Sequence, residues 1–385
     1  MDSLLARTGA RGLPVDLEYT YSGKSYRPDS KLDVDVLSNH MVHIRSLKLC
    51  IKPCNLNPHD APELPAALRT AAPLLRRFYM VCNPSMMERD RLLLSQGIFS
   101  GQAPLLEHIE LQSCDNCLKS FRRFTSIRSV TLTDKYLYSD SPLWKWLLAF
   151  PLLETLETSA TTYYKRDARK IALPAGIMRL AISVGDEKII SSFNLTRIDD
   201  IQRICISALQ TERVNGGSSC VGAREAQRFL PNDFHPHSLV ATYDRSGDGY
   251  NFWSRKLSFS VQGRPDDSDT TTRKTRSFMN IDCSALSHPP IWKSTFGRVS
   301  RLVLYFSDRY NSAHWPTINS AVCENAEELT IQRFRWYTRQ LSEPIPGGMT
   351  FPRLRTLRLL TTYAGESSTG NATRPTVVFD ALTEM

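Results

Sequence analysis

A few short clusters in this 385-residue chain hold side chains that could do chemistry. Cys114-Asp115-Asn116-Cys117 has the C-x-x-C spacing of zinc and dithiol sites. A tetrahedral zinc needs two further Cys or His ligands, and no second C-x-x-C or spaced histidine pair supplies them. The motif therefore reads as free thiols in a turn, and Cys50 with Cys54 reads the same way. Asp244-Arg245-Ser246-Gly247-Asp248-Gly249 begins like a calcium loop, but its twelfth position is Arg255, where that loop needs a bidentate Glu. A cation there repels calcium, so this segment reads as a turn. His235-Pro236-His237 offers two imidazoles without a third ligand. The densest basic segment runs from Tyr163 to Lys170, with four basic residues, two tyrosines and one Asp. It reads as a solvated loop or helix face. No phosphate-binding loop, nucleophile elbow or H-E-x-x-H is found. The expectation is a non-enzyme with no catalytic residues, metal or cofactor.

Charge and cysteine usage narrow the class. The net charge is +9, from 48 basic and 39 acidic residues, and Arg outnumbers Lys by 35 to 13. A basic balance admits nucleic acid, an anionic membrane or an acidic protein as partner. Here the basic residues are scattered, which argues against nucleic acid. No apolar run approaches the roughly 20 residues of a membrane span, so no membrane partner is expected. Leu4-Leu5-Ala6 runs straight into Arg7 and Arg11, unlike the apolar core of a signal peptide. Nine thinly spread cysteines then read as reduced thiols, and the expected compartment is cytoplasmic or nuclear.

The elements that must position any site emerge from apolar residues at i, i+3 and i+5. Ten segments show them: Ile44, Leu47, Leu49; Leu75, Phe78, Met80; Leu106, Ile109, Leu111; Ile127, Val130, Leu132; Leu153, Leu156, Thr158 (polar at the last place); Ile177, Leu180, Ile182; Ile201, Ile204, Ile206; Val299, Leu302, Leu304; Ala326, Leu329, Ile331; and Leu354, Leu357, Leu359. With 41% hydrophobic residues, chance gives such a triplet at about 7% of sites, about 26 in all, so spacing must decide. The first residues are 31, 31, 21, 26, 24 and 24 apart, then 98, 27 and 28. Leucine-rich repeats have the core L-x-x-L-x-L and periods of about 20–29 residues, and the 98-residue gap is near four periods.

A second regularity precedes the triplets. Ala72-Pro73-Leu74-Leu75, Ala103-Pro104-Leu105-Leu106, Phe150-Pro151-Leu152-Leu153 and Phe351-Pro352-Arg353-Leu354 all place proline two residues before the first apolar anchor. Proline there ends a preceding helix and predicts an extended lead-in to a strand. Asn83 and Cys114 fill the ninth, turn position of the repeat. Apolar faces over Leu64–Ala72 and Leu143–Phe150 predict helices. The stretch 207–298 is irregular, with strands expected at Leu239–Tyr243 and Leu257–Val261 and a mobile polar loop over 263–277. Another loop is expected over 365–374, and a helix start from Phe379 onward.

Fold class follows: α/β, one divergent solenoid over residues 1–385 with about 11 to 14 irregular units. It is expected as an elongated leucine-rich-repeat-like horseshoe, with short parallel strands on the concave face and helices on the convex face. Residues between the anchors alternate away from the core. The concave face is then read as the partner-binding surface, carried by Lys48, Arg77, Tyr79, His108, Glu110, Glu157, Arg179, Arg203, Arg301 and Arg358. Arg and Tyr are the types enriched at interface hot spots.

Leu4-Leu5-Ala6-Arg7-Thr8-Gly9, Leu13-Pro14-Val15-Asp16-Leu17, His43 to Leu49, the A-P-L-L and F-P-x-L prefixes, Gly97-Ile98-Phe99-Ser100-Gly101 and Phe351 to Leu359 carry a family resemblance. The chain resembles the leucine-rich-repeat region of F-box proteins from mushroom-forming (basidiomycete) fungi over most of its length, least from 207 to 298. The F-box itself is not present: Leu13-Pro14 has its opening dipeptide, but the run from Glu18 to Lys31 is polar. The resemblance implies the substrate-binding part of an SCF-type ubiquitin ligase receptor, with a protein substrate on the concave face. It implies contact with a Skp adaptor and cullin only through an F-box upstream. The competing reading is a basic scaffold for nucleic acid or an acidic partner, without a ligase link.

Overall fold

A strand that places apolar residues at its second and fourth positions buries one side and leaves the alternating residues open. The computed structural model shows how this chain stacks such strands. It describes residues 2–21, 29–51, 63–82, 97–113, 115–138, 146–164, 170–171, 173–184, 194–195, 198–208, 229–230, 236–246, 254–263, 274–282, 299–306, 324–333, 351–361 and 377–380. They fall into two compact units, Met1–Ile182 with Ser192–Arg197, and Ser183–Ser191 with Ile198–Met385.

The first unit opens with helix α1 (Asp2–Ala10). Gly12 N donates to Gly9 O and Leu13 N to Thr8 O, both at 3.0 Å, and Gly12 has φ +63. This paired closure at a left-handed glycine ends the helix and turns the chain into strand β1 (Val15–Tyr21). Helix α2 (Asp29–His40) and a 3-10 turn (Met41–His43) lead to β2 (Ile44–Ile51). Helix α3 (Glu63–Ala67) precedes β3 (Arg77–Cys82), and 3-10 segments Ile98–Gly101 and Asp115–Phe121 flank β4 (His108–Gln112). Then come β5 (Ser129–Tyr138), β6 (Thr155–Tyr164), β7 (Lys170–Ile171), β8 (Arg179–Val184) and β9 (Asn194–Leu195). The sheet runs β1-β2-β3-β4-β5-β6-β8, with β1 to β6 parallel neighbours. β7 and β9 form a separate parallel pair. The unit is a parallel-strand solenoid.

Register aligns the predicted anchors. Leu47, Phe78, Ile109, Val130 and Leu156 face one another in sequence across β2 to β6, as do Leu49, Met80, Leu111, Leu132 and Thr158. Of the ten anchor triplets along the chain, only Leu354, Leu357 and Leu359 are not fully buried. Behind the strands, Phe78 packs edge-to-face on Phe99 at 5.4 Å and against Phe121 at 5.6 Å, and Phe124 adjoins Phe99 and Phe121 at 6.1 and 6.2 Å. Such aromatic pairs add about 0.5–1.5 kcal/mol beyond area burial.

The proline prefix acts as a turn rather than as an extended lead-in. In all four, the anchor N–H bonds to the carbonyl three residues back: Leu75 to Ala72, Leu106 to Ala103, Leu153 to Phe150 and Leu354 to Phe351, at 3.1–3.2 Å. Proline at the second turn position has its φ already set for this turn. The expected helix over Leu64–Ala72 is shorter than its apolar face. After Ala67 the chain tightens, with Arg69 N and Thr70 N bonding to Ala66 O and Ala67 O. Near Leu143–Phe150 the described helix is one short turn at Trp146–Leu147. β1 was not among the predicted strands, because Pro14 stands where its first anchor would be.

The second unit has a 3-10 turn (Ile198–Asp200) and strands β10 (Arg203–Ala208), β11 (Pro236–Ser246), β12 (Ser254–Gly263), β13 (Thr275–Asp282), β14 (Arg301–Phe306), β15 (Glu328–Arg333), β16 (Thr356–Thr361) and β17 (Val377–Asp380). Its order is β10-β13-β12-β11-β14-β15-β16-β17. The irregular stretch is thus a three-stranded antiparallel insertion, β13-β12-β11, parallel at its outer strands to β10 and β14. The two strands expected there lie within β11 and β12. The expected loop over 263–277 is partly wrong, since β13 starts at Thr275. There Arg276 sits opposite the anchor Ile204 and is fully buried. Its guanidinium donates to the carbonyls of Phe229, Gln202, Thr275 and Ile198 at 3.1–3.2 Å. Likewise Phe379 belongs to a strand, antiparallel to β16, and not to a helix.

Two predictions follow from this packing. Phe121→Ala should cost about 3–5 kcal/mol in urea unfolding, whereas Leu152→Ser at an exposed turn should stay within about 0.5 kcal/mol. The second concerns His43, buried against His40 at a ring distance of 5.1 Å, with its Nε2 unpaired among the described residues. Burial, then the charge of His40, lowers the His43 pKa below its ordinary value. The unfolded chain therefore takes up this proton first, and stability falls as pH drops through about 6.5. The urea midpoint should fall less between about pH 7 and pH 5 in His43→Leu than in the parent.

Candidate functional site

In the first unit, the residues between the anchors form aligned rows on the open side of the sheet. One row reads Asp16, Ser46, Arg77, His108, Ser129, Thr155, the next Glu18, Lys48, Tyr79, Glu110, Thr131, Glu157. All are exposed or half-buried. Parallel register brings side chains from six sequence-distant strands to neighbouring positions. Lys48, Tyr79 and Glu110 are successive cross-strand neighbours, as are Arg77 and His108. Thr131 separates Glu110 from Glu157.

The backbone at the strand starts holds this array. Arg76 O accepts from Glu107 N and His108 N, Glu107 O from Arg128 N and Ser129 N, Arg128 O from Glu154 N and Thr155 N, and Glu154 O from Met178 N and Arg179 N, all at 2.8–3.0 Å. One carbonyl per strand thus takes two successive N–H groups of the next. The side chains at that edge alternate in sign: Arg76 approaches Glu107 at 3.9 Å, and Arg128 pairs with Glu154.

The face itself is a mixed ionic surface. Arg45 donates to both carboxylate oxygens of Asp16, at 3.0 and 2.7 Å, and these bonds lower the Asp16 pKa. Lys48 meets Glu18 at 2.8 Å and lies 5.5 Å from the Tyr79 ring centroid. Arg179 meets Glu157 at 3.0 Å. Glu110 differs from these: burial raises its pKa, and the neighbouring charge of Glu157 adds to the effect. Tyr79 is shifted upward by burial and then by Glu110. A carboxylate and a phenol thus sit side by side on this face, both penalised in their charged forms.

All ten predicted site residues lie on strands with their side chains at least partly exposed. The structure gathers Lys48, Arg77, Tyr79, His108, Glu110, Glu157 and Arg179 in the first unit. Arg203, Arg301 and Arg358 lie in the second, on β10, β14 and β16. There Arg301 is 3.7 Å from Glu328, and Arg358 stands opposite Thr330. Sequence reasoning missed Asp16 and Glu18, whose signal was the alternation Val15, Leu17, Tyr19, and the edge residues Arg45 and Arg76.

The other chemical candidates recede. Cys50, Cys82 and Cys205 form no disulfide, while Cys54, the side chains of Cys114 and Cys117, Asn83 and the loop 365–374 lie outside the described residues. Asp244 to Ser246 end β11 and pair with Lys256 to Ser254 as ordinary antiparallel strand, while residues 247–253 of the calcium-like segment lie outside the described residues. His237 is exposed, with Nδ1 2.7 Å from Ser300 Oγ, and His235 is outside the described residues. Among the described residues no group of three His, Cys, Asp or Glu could hold a metal, and no helix is long and apolar enough to cross a membrane. Compared with protein-family models and with curated proteins, the chain matches none.

Removing the penalised Glu110 charge has a definite sign. The raised folded pKa means the folded state holds this proton more tightly, so the cost appears as pH rises above about 4.3. Glu110→Gln should therefore raise the melting temperature near pH 7, and the gain should vanish below about pH 4 in thermal melts.

Proposed function

We propose that the chain is a non-catalytic protein-recognition module that holds a protein partner on the open face of its strands. In this reading that face is the concave side of a leucine-rich-repeat-like horseshoe, with helices on the convex side. By the resemblance, the module is the substrate-binding part of an SCF-type ubiquitin ligase receptor, working in the cytoplasm or nucleus. A Skp adaptor and cullin would join only through an upstream F-box.

The observation that carries the reading is the register of the first unit, where rows of side chains stand open in fixed cross-strand order. Repeat arrays offer extended surfaces of this kind. The mixture of signs favours protein over nucleic acid. Asp16, Glu18, Glu110 and Glu157 interrupt the basic residues, whereas a phosphate-tracking surface needs continuous positive charge. Glu110 beside Tyr79 adds a carboxylate whose desolvation cost a partner's cation would offset.

The test is quantitative affinity capture with the parent chain and a Lys48→Glu/Tyr79→Ala/Glu110→Lys variant, each checked for an unchanged melting profile. The reading expects specific partners to be lost by the variant and retained in moderate salt. It also expects Skp adaptor and cullin when an F-box encoded upstream is included. Partners held equally by both chains would contradict it, as would nucleic-acid binding that falls steeply with salt.

A further inference from the structure

At the start of strands β1 to β4 the open face deepens into a cleft of about 670 Å³. Three guanidinium groups line it, from Arg45, Arg76 and Arg77, with the single carboxylate of Asp16. Leu74 and Leu105 form its apolar wall. These leucines occupy the third position of two consecutive proline turns, one repeat apart, and each is 37% exposed. The turns fix their direction, so two apolar side chains stand beside three cations without burying one another.

The three arginines are differently committed. Arg45 spends two hydrogen bonds on Asp16. Arg76 is held only at 3.9 Å from Glu107. Arg77 makes no ion pair with a described residue. The cleft lining thus carries three positive charges against one negative, with the Arg77 fork outside any ion pair of the described residues and the Arg76 fork only loosely held, so that both can turn to a carboxylate in planar, two-point fashion. Its volume lies within the range of ligand pockets, about 300–1,000 Å³, and suits a few residues of an extended peptide.

We propose that this cleft binds a short peptide segment of the partner in which an Asp or Glu lies next to a Leu, Ile or Phe. The carboxylate meets Arg76 and Arg77, and the apolar side chain covers Leu74 and Leu105. The inference rests on the reading of the open face as a recognition surface and names the class of sequence that one end of it selects.

The experiment is selection of a random heptapeptide phage library on the whole chain, followed by fluorescence anisotropy of the enriched peptides. Two variants are compared with the parent, Arg76→Glu/Arg77→Glu at the cleft and Tyr79→Ala/Glu110→Gln further along the face. Leu74→Ser/Leu105→Ser gives a second cleft variant without charge reversal. The expected result is enrichment of acidic residues next to aliphatic or aromatic ones. Affinity should weaken at least about tenfold in both cleft variants, through loss of charged hydrogen bonds in the first and of apolar contact in the second, and by less than in either of them in the variant further along the face.

Enriched peptides that bind all cleft variants as well as the parent overturn the proposal. If those peptides depend on Tyr79 and Glu110 instead, the face remains a recognition surface and only the cleft assignment fails. A library without acidic enrichment, alongside a phosphoserine peptide pool that binds through the arginines, overturns the carboxylate assignment. No enrichment overturns the cleft alone when the capture experiment finds a face-dependent partner, and both readings when it does not.

Discussion

Each strand of this chain buries its apolar side only in company. Three anchors per repeat are too few for a closed core, so neighbouring strands must stack in one register. The repeated pair of hydrogen bonds that two successive N–H groups donate to one carbonyl fixes that register at the strand start. A slip by one residue would turn Leu47, Phe78 and Ile109 outward and Lys48, Tyr79 and Glu110 inward. Burying a full aliphatic or aromatic anchor stabilises by about 1.5–3 kcal/mol, and burying an unpaired charge costs more. The register is therefore selected twice, by what it buries and by what it keeps in water.

The same constraint sets the electrostatics of the open face. Side chains cannot choose their cross-strand neighbours once the anchors are aligned, so the charge pattern is inherited from the register. Most of the resulting contacts are relieved by exposed ion pairs, each worth about 0–1 kcal/mol. Those pairs do little for stability and much for which partner can approach. Glu110 is left with a partial desolvation penalty, and the three arginines around one Asp leave the cleft at the strand starts positive.

Much of this was legible in the sequence because periodicity reports burial directly. Ile109 and Leu111 could be assigned inward from spacing alone, and Glu110 outward from its place between them. The proline prefixes located the strand starts, although their role proved to be the turn at Ala72–Leu75 and its three counterparts. Where the pattern breaks, the reading failed. Pro14 in the first anchor place hid β1. Arg276 hid β13, since a charged residue in an anchor position reads as a loop until its carbonyl partners are known. Three of the four, those of Phe229, Gln202 and Ile198, come from 47 to 78 residues away, which no local pattern displays.

The chain's own thiols give the most direct test of this inside–outside alternation. Cys205 lies between the anchors Ile204 and Ile206, and Cys50 follows the anchor Leu49 on the open side, both half-buried. Cys82, one position further along β3, is buried. Differential alkylation of the native protein, read by peptide mass mapping, should label Cys50 and Cys205 well before Cys82, with Cys82 reacting only on unfolding. Equal labelling of all three, or faster labelling of Cys82, would contradict the register on which the face, the cleft and the proposed recognition all depend.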